Sequence, residues 1–310
     1  MYRNHILPTF GDLPLASIDH LAVREWVATL SAKGLAPASV QKAHQILGKM
    51  MRAAVDSGLL NASPCDRVPL PKVEREEMRF LGPDEIERLA DAIDPRYRTL
   101  VLLGAYGGLR AGEMFGLRRA RLDLLRGSVR VTETAQEVGR EFFYGPPKTR
   151  AGRRTIPLPR FLVDELTTHC ANREPGELVF PSPWGATIRA SLFRRRFWYP
   201  ACAASDLGSL TKIDGREHYD GLRMHDLRHT AVALWIAAGA SPKEIATRAG
   251  HTSVSVVLDR YGHLLPGTEE RVTDALDVFA RQASEGARDK RATLSLLTPT
   301  GVVPAAQTGA

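Results

Sequence analysis

The chain has 310 residues, a hydrophobic fraction of 44%, a charged fraction of 25% and a formal net charge of +7. These values are typical of a globular protein, and the length predicts two domains. No stretch is long and apolar enough to span a bilayer and the N-terminus lacks a signal-peptide pattern, so we expect a cytoplasmic protein. The positive charge favours a polyanionic partner, which would be DNA, RNA or an anionic membrane.

Cysteine usage indicates a reducing compartment. Cys65, Cys170 and Cys202 are odd in number and widely spaced, and they include no CxxC pair. Neither a disulfide framework nor a cysteine zinc site is therefore expected.

The first part of the chain predicts a small helical domain over residues 1–72. One helix is predicted over 18–30, with Ser17 as its cap, and a longer one over 39–57. Prolines and then charges follow, and they predict a linker over 73–79. Apolar residues at three- and four-residue steps predict one buried stripe on the second helix, formed by Val40, Ala43, Leu47, Met50, Met51 and Ala54.

Residues 80–284 predict a larger domain that mixes helices with short strands. Helices over 83–93 and 95–106 are followed by strands over 128–134, 141–144 and 155–158, with a basic turn over 148–154. The remainder predicts helices over 160–172, 189–204, 226–238, 242–249, 253–260 and 269–282, the last with an apolar face of Val272, Leu276 and Phe279. The tail over 285–310 loses periodicity, and we expect it to be disordered.

Two turns carry candidate phosphate contacts. Arg110 follows Gly107-Gly108 past the end of a predicted helix. A guanidinium there can bond two phosphate oxygens at once, although an arginine at a turn is more often a plain surface residue. Lys148 lies in the basic turn, which is either a solvated loop or a loop that brings Lys148 into a DNA groove or onto a leaving oxygen.

A second pair of candidates lies at the start of the predicted helix over 226–238. His225 and Arg228 are three residues apart, so they share one helix face. His225 and His229 have a spacing that also suits zinc, but no HExxH glutamate and no obvious third ligand accompany them. We expect no metal there, and we expect His229 to be a capping or core histidine.

The last cluster combines Gly250-His251 with Tyr261 farther along the chain. A tyrosine near a helix end normally packs in the core, and its hydroxyl finds a partner. Here the tyrosine follows arginine, lysine and histidine candidates, and such neighbours can turn a phenol into a nucleophile.

The series Arg110, Lys148, His225-x-x-Arg228, Gly250-His251 and Tyr261 resembles the active site of the tyrosine recombinases, in particular the phage integrases. The stretches GLRAGE, PPKTRAGRRTIPL, HDLRHT and AGHTSVSVVLDRYGHL carry the resemblance, which spans about residues 80–282, and residues 5–72 are similar to the family's core-binding domain. The resemblance implies a fold that is mostly α with a small antiparallel β-sheet. An N-terminal helical core-binding domain would precede an α+β catalytic domain.

The resemblance also implies a site that cleaves and rejoins DNA strands at specific sequences. Arg110, Arg228 and His251 would hold the attacked phosphate, and Lys148 would protonate the departing 5′ oxygen. Glu113, one helical turn from Arg110, would position that region by hydrogen bonds.

Tyr261 would be the nucleophile, with His225 as its base or proton shuttle, and a 3′-phosphotyrosyl link would form. No metal, ATP or other cofactor is implied. Six further arginines are expected either to contact DNA phosphates or to be solvated surface residues, namely Arg150, Arg153, Arg154, Arg194, Arg195 and Arg196.

The partners that the resemblance implies are double-stranded DNA and further copies of this chain. The family acts as a homotetramer on two DNA sites in the bacterial cytoplasm, and the predicted helix over 269–282 would dock on a neighbouring copy or pack in cis. A directionality factor and a host DNA-bending protein are also implied. Many phage integrases carry a further N-terminal module that binds arm-type DNA sites, so this chain either begins after that module or lacks it.

Three other functions remain open from the sequence. A type IB topoisomerase shares the Arg/Lys/Arg/His/Tyr chemistry but only relaxes DNA. A non-catalytic, sequence-specific DNA-binding protein would explain the helix–turn–helix rhythm of residues 225–260, but not a nucleophile with its cations. A metal nuclease would lose activity in a chelator, whereas a tyrosine recombinase would not.

Overall fold

The computed structural model describes residues 1–73, 78–139, 141–265, 273–274, 276–278 and 281. The chain divides into two compact units, Met1–Glu77 and Met78–Ala310, and each has its own buried core. Most of the predicted linker over 73–79 and all of the predicted tail over 285–310 lie outside the described residues. Val272 and Phe279 of the predicted helix over 269–282 also lie outside them, whereas the described residues of that stretch are helical and Leu276 is exposed. No helix in the described ranges is long and apolar enough to cross a membrane.

Helices α1 (Leu7–Phe10), α2 (His20–Ala32) and α3 (Pro37–Asp56) build the N-terminal unit. Asp19 caps α2, since its carboxylate accepts a backbone N–H of the first turn at 2.7 Å. The prediction of Ser17 as the cap was wrong, because its hydroxyl donates to an earlier carbonyl. The prediction for the α3 stripe was wrong only at Met50, which faces solvent; the buried members are Val40, Ala43, Leu47, Met51 and Ala54.

Strands β1 (Leu122–Asp123), β2 (Ser128–Val131) and β5 (Arg154–Pro157) form a three-stranded antiparallel sheet in that order within the second unit. Strands β3 (Thr134–Val138) and β4 (Glu141–Gly145) form a separate hairpin. The inward positions of β5 are Arg154 and Ile156, which alternate with exposed residues.

The helices of the second unit enclose a continuous core of aliphatic and aromatic side chains. The fold is mostly α with small antiparallel sheets, as predicted. The helices are α4 (Pro83–Ala92), α5 (Arg98–Gly107), α6 (Ala111–Phe115), α7 (Arg160–His169), α8 (Ala190–Phe193), α9 (Tyr199–Ala204), α10 (Asp226–Ala237), α11 (Pro242–Ala249) and α12 (Ser255–Tyr261).

Residues 208–221 form a second hairpin, where the sequence analysis predicted only helices and loops. Its strands are β6 (Gly208–Ile213) and β7 (Arg216–Gly221), joined by Asp214 and Gly215. Both turn residues have positive φ, 50° and 73°, as a two-residue turn that matches the strand twist requires. The prediction for this stretch was wrong because its turn signal was not used.

Glycines let α5 pack closely against α10. A Cβ atom at Gly104 would lie 2.7 Å from the Leu227 side chain. Gly108 follows α5 with φ +66°, and a Cβ atom there would lie 2.6 Å from the Trp235 ring. This close packing brings the end of α5, and the loop that follows it, to the first turns of α10.

An ion pair between Glu113 and Arg154 joins α6 to β5. The two residues are 3% and 8% exposed, and both terminal nitrogens of Arg154 donate to the carboxylate, at 3.0 and 2.9 Å. Arg154 also donates to the carbonyls of Arg248 at 2.7 Å and Gly152 at 3.0 Å. Arg154 is therefore not a solvated surface residue, and its guanidinium is buried and bonded within the unit rather than exposed for the predicted DNA contact.

We predict that Gly108→Ala destabilises the second unit by about 2–4 kcal/mol, since strain at positive φ adds about 1 kcal/mol to the crowding against Trp235. Gly139→Ala is the matched control, because Gly139 has φ +64° and nothing lies within 4 Å of its would-be Cβ atom. Denaturant unfolding of both variants measures the difference. Equal losses of stability would show that the Trp235 contact does not constrain Gly108.

We predict that Glu113→Gln destabilises the second unit by about 3 kcal/mol, because it leaves the Arg154 charge buried without a carboxylate. Burial raises the pKa of Glu113, but hydrogen bonds and charge from Arg154 and Arg110 outweigh it and leave the pKa below 4.5. The ion pair therefore stabilises the fold fully above the unfolded-state pKa, and this stabilisation is lost as the pH falls through the folded-state pKa.

The measurement is denaturant unfolding at neutral and at acidic pH. The difference in stability between the wild type and Glu113→Gln should shrink on acidification, whereas the exposed Glu217→Gln should match the wild type at both pH values. A difference that is independent of pH would contradict an ionised Glu113.

Candidate active site

Arg110 stands at the N-cap of α6, where Glu113 holds it. Its backbone N–H donates to one carboxylate oxygen of Glu113 and its Nη1 to the other, both at 2.9 Å. Its Nη2 donates to the Gly250 carbonyl at 3.4 Å. The side chain is 40% exposed, so its guanidinium is fixed on one side and accessible on the other.

Arg228 lies in the first turn of α10 and is 3% exposed. Its Nη1 donates to the Gly108 carbonyl at 2.7 Å, and its Nη2 donates to the Ala249 carbonyl. Arg110 and Arg228 thus donate to the consecutive carbonyls of Ala249 and Gly250. The structure therefore brings these two predicted arginines together at the end of α11.

His251 follows this turn directly. Gly250 has φ +66°, and a Cβ atom there would lie 2.9 Å from the Ala151 carbonyl, so only glycine fits. The Nδ1 atom of His251 is buried and has no hydrogen-bond partner among the described residues. A buried polar atom of this kind is costly unless a ligand satisfies it, so His251 can serve a ligand that binds at the two arginines.

Lys148 is exposed in the loop between β4 and β5. The loop folds back on itself, because a Cβ atom at Gly152 would lie 2.4 Å from Pro147. Its Ala151 carbonyl approaches Gly250. The base of the loop is therefore fixed beside the turn that carries the arginine contacts, while the Lys148 side chain extends into solvent.

Tyr261 is the last residue of α12 and is 2% exposed. Its hydroxyl oxygen lies 2.6 Å from Nδ1 of His229. Its ring packs in a cluster with Trp235 and Val257. Burial raises the pKa of Tyr261, and the charges of Arg228 and Arg260 act in the opposite direction.

The structure does not bring His225 to the Tyr261 hydroxyl. His225 is at the N-cap of α10, and its ring meets the His229 ring edge to face with 4.9 Å between centroids. The predicted role of His225 as base or proton shuttle for the phenol has no contact to support it among the described residues, because His229 occupies the position next to the hydroxyl. Partial desolvation, then His229 and Arg228, lower the pKa of His225 to about 4.

Positive charge dominates this region. Burial, followed by the charges of Arg110 and Arg154, lowers the pKa of Arg228 to about 9. Burial, followed by the charges of Arg228 and Arg110, lowers the pKa of His251 to about 4. Glu113 contributes one negative charge beside three guanidinium groups, so an anion bound here would relieve the excess charge.

The other predicted DNA contacts lie apart from these hydrogen bonds. Arg196 places its guanidinium 5.8 Å from the ring centroid of the exposed Trp184. In the described ranges, no three His, Cys, Asp or Glu side chains are grouped so that they could hold a metal ion. Five of the six arginines are exposed, and their DNA contacts remain predictions: Arg150, Arg153, Arg194, Arg195 and Arg196.

Sequence analysis missed His229 as a site residue. It expected a capping or core histidine, and the residue is indeed buried, at 9% exposure. The available signal was its position one helical turn after His225, which places both rings on one face of α10. The fold supplies the missing information, because it brings the end of α12 onto that face.

Comparisons with known proteins relate the sequence of this chain to the phage integrases. The model of the phage integrase family matches residues 79–267. The putative prophage phiRv2 integrase of Mycobacterium tuberculosis is 32% identical over 285 residues, which cover 89% of this chain and 71% of the relative. The ICEBs1 integrase of Bacillus subtilis is 27% identical over 288 residues, which cover 89% of this chain and 75% of the relative.

Solved structures share the fold. The Tn1549 transposon integrase in complex with a circular intermediate DNA aligns with a TM-score of 0.69 at 19% identity, over 86% of this chain and 87% of that one. A lambda integrase tetramer bound to a Holliday junction aligns with a TM-score of 0.55 at 18% identity, over 80% and 66%. The family match and the integrase relatives confirm the resemblance seen in the sequence, so the chain belongs to the phage integrase family of tyrosine recombinases, enzymes that cleave and rejoin DNA strands.

Proposed function

We propose that this recombinase attacks DNA with Tyr261 at a phosphate that Arg110, Arg228 and His251 hold. The observation that carries this proposal is the convergence of both guanidinium groups on consecutive carbonyls at the end of α11, directly before His251. A phosphodiester bound there would supply the negative charge that the site lacks.

The two arginines would stabilise charge that builds on the non-bridging oxygens when the phosphorus becomes five-coordinate. Their orientation is set before DNA arrives, because backbone carbonyls and Glu113 hold them. Pre-set donors stabilise a transition state without first having to reorganise. Arg228 and Tyr261 are similarly buried, at 3% and 2% exposure, so DNA binding has to uncover both.

Lys148 would protonate the departing 5′ oxygen as the general acid. Attack by Tyr261 forms a 3′-phosphotyrosyl bond and breaks the bond to the 5′ oxygen. This link conserves the energy of the phosphodiester, so a 5′ hydroxyl of another strand can reverse the step and complete an exchange.

Double-stranded DNA is the proposed substrate, and the proposed assembly is a tetramer that cleaves two duplexes in the bacterial cytoplasm. The DNA-bound integrase structures support this proposal by analogy of fold. We further propose that residues 1–72 form the core-binding domain and residues 80–284 the catalytic domain. A directionality factor and a host bending protein remain predicted partners.

The alternatives left open by the sequence are not favoured. Membership in the integrase family argues against a topoisomerase that only relaxes DNA, and against a protein that binds DNA without cleaving it. A metal nuclease can be distinguished directly from a tyrosine recombinase, since only the nuclease should lose DNA cleavage in the presence of a chelator.

We predict that Tyr261→Phe abolishes covalent capture of DNA and leaves DNA binding within about two-fold of the wild type, because only the attacking oxygen is removed. The substrate is a nicked duplex of the attachment DNA that flanks the gene, from which a short 5′-hydroxyl fragment escapes after cleavage. Denaturing gels in chelator detect the adduct. Tyr199→Phe, in α9, is the matched control and should retain capture. An adduct formed by Tyr261→Phe would show that another residue is the nucleophile.

We predict that Lys148→Ala slows cleavage by about 100-fold and that a 5′-bridging phosphorothiolate restores most of the rate. A thiolate leaves without a proton, so the substituted DNA no longer needs a general acid. Arg110→Ala is the control, since loss of a phosphate contact should slow cleavage of both substrates equally. Failure of the sulfur substrate to restore Lys148→Ala would exclude Lys148 as the acid.

A further inference from the structure

The hydroxyl of Tyr261 has a defined hydrogen-bond partner. His229 Nδ1 lies 2.6 Å from it, and both side chains are buried, at 9% and 2% exposure. A hydrogen bond of this length in a water-poor setting fixes the direction of the phenol oxygen.

The other two histidines of the site are placed elsewhere. His225 contacts the His229 ring rather than the hydroxyl. His251 keeps a buried Nδ1 without a partner among the described residues, beside the arginine contacts. The hydroxyl and the phosphate position are therefore served by different imidazoles, and His229 is the one on the nucleophile.

Burial of the pair favours a neutral imidazole and a protonated phenol. Burial, followed by the charges of Arg260 and Arg228, lowers the pKa of His229, so its imidazole is neutral near neutral pH. Burial raises the pKa of Tyr261, so the phenol is protonated. Arg260 belongs to α12, whereas Arg228 belongs to α10 and the neighbouring His225 is the N-cap of α10. A neutral imidazole with its proton on Nε2 accepts the phenol proton at Nδ1.

We propose that His229 orients the Tyr261 hydroxyl and accepts its proton as the oxygen attacks phosphorus, an assignment that rests on the proposed role of Tyr261. The Tyr261 O–H bond breaks and its proton moves to Nδ1, which gives an imidazolium. The new oxygen–phosphorus bond forms as the bond to the 5′ oxygen breaks, and Lys148 protonates that oxygen. In the reverse step His229 returns the proton to the phenol.

The test compares two substitutions of His229 in the full chain. His229→Leu removes the acceptor, and cleavage of the nicked duplex should slow by about 100-fold. His229→Asn places an amide oxygen near the position of Nδ1, so it keeps the orienting hydrogen bond but cannot take up a proton. Its rate should lie between those of the wild type and His229→Leu.

The pH profile separates proton transfer from simple packing. Wild-type cleavage should fall on the acidic side as His229 becomes protonated, because an imidazolium cannot accept the phenol proton. In His229→Asn the part of this limb that belongs to His229 should be absent, and only the changes that come from His225 and His251, whose pKa values burial lowers to about 4, should remain. Thermal unfolding and DNA-binding assays establish that each variant is folded and binds DNA.

His169→Asn is the matched control, since His169 is also a partly buried histidine, and its ring is hydrogen-bonded to the Val179 carbonyl at 2.8 Å and packs against Phe180. It should cleave at the wild-type rate with the wild-type pH profile. Folded His229 variants that match or exceed the wild-type rate, or that keep its acidic limb, would overturn the proposal. A different result would show that the proposed role of Tyr261 itself is wrong. In that case Tyr261→Phe would still form the adduct, or the wild type would form none on DNA that it binds.

Discussion

The Glu113 carboxylate is the negative charge around which the arginines of this site assemble. Guanidinium groups repel one another at short range, and a phosphate site nevertheless needs several of them close together. Glu113 accepts from Arg110 on one side and from Arg154 on the other. One buried carboxylate thus permits a dense group of cations and still leaves the group with a net positive charge.

The burial of Arg154 makes this arrangement stable. A carboxylate taken out of water loses its hydration, and it stays ionised only when its oxygens are fully bonded. Arg154 supplies two of those bonds and, through Arg248 and Gly152, connects the carboxylate to α11 and to the loop that bears Lys148. The two arginines therefore differ in role. Arg154 stabilises the fold through buried contacts, whereas Arg110 remains accessible to a ligand.

The order and type of the site residues could be predicted from the sequence because each sits in a local motif. Their contacts could not, since contacts depend on how distant elements meet. His229 became a site residue only when α12 packed onto α10. Two further misses had local signals that were not used. Arg154 alternates with the buried Ile156, which indicates an inward position on a strand. Asp214-Gly215 between polar-apolar runs is a strong hairpin signal.

With separate imidazoles for phosphate and phenol, as proposed, bound DNA would change the protonation of the pair formed by His229 and Tyr261. Without DNA, burial and then the charges of Arg260 and Arg228 disfavour an imidazolium at His229, and burial keeps the proton on the phenol although the same two charges oppose it. A phosphodiester beside Arg228 would offset part of that positive field and would raise the pKa of His229. The imidazole would thereby become a stronger base when the target phosphate is bound, and the same anion would also offset the effect of Arg228 on the phenol and raise the pKa of Tyr261. The bound anion therefore acts on both members of the pair, and the distance of its charge from each of them decides how far proton transfer from the phenol to the imidazole is favoured.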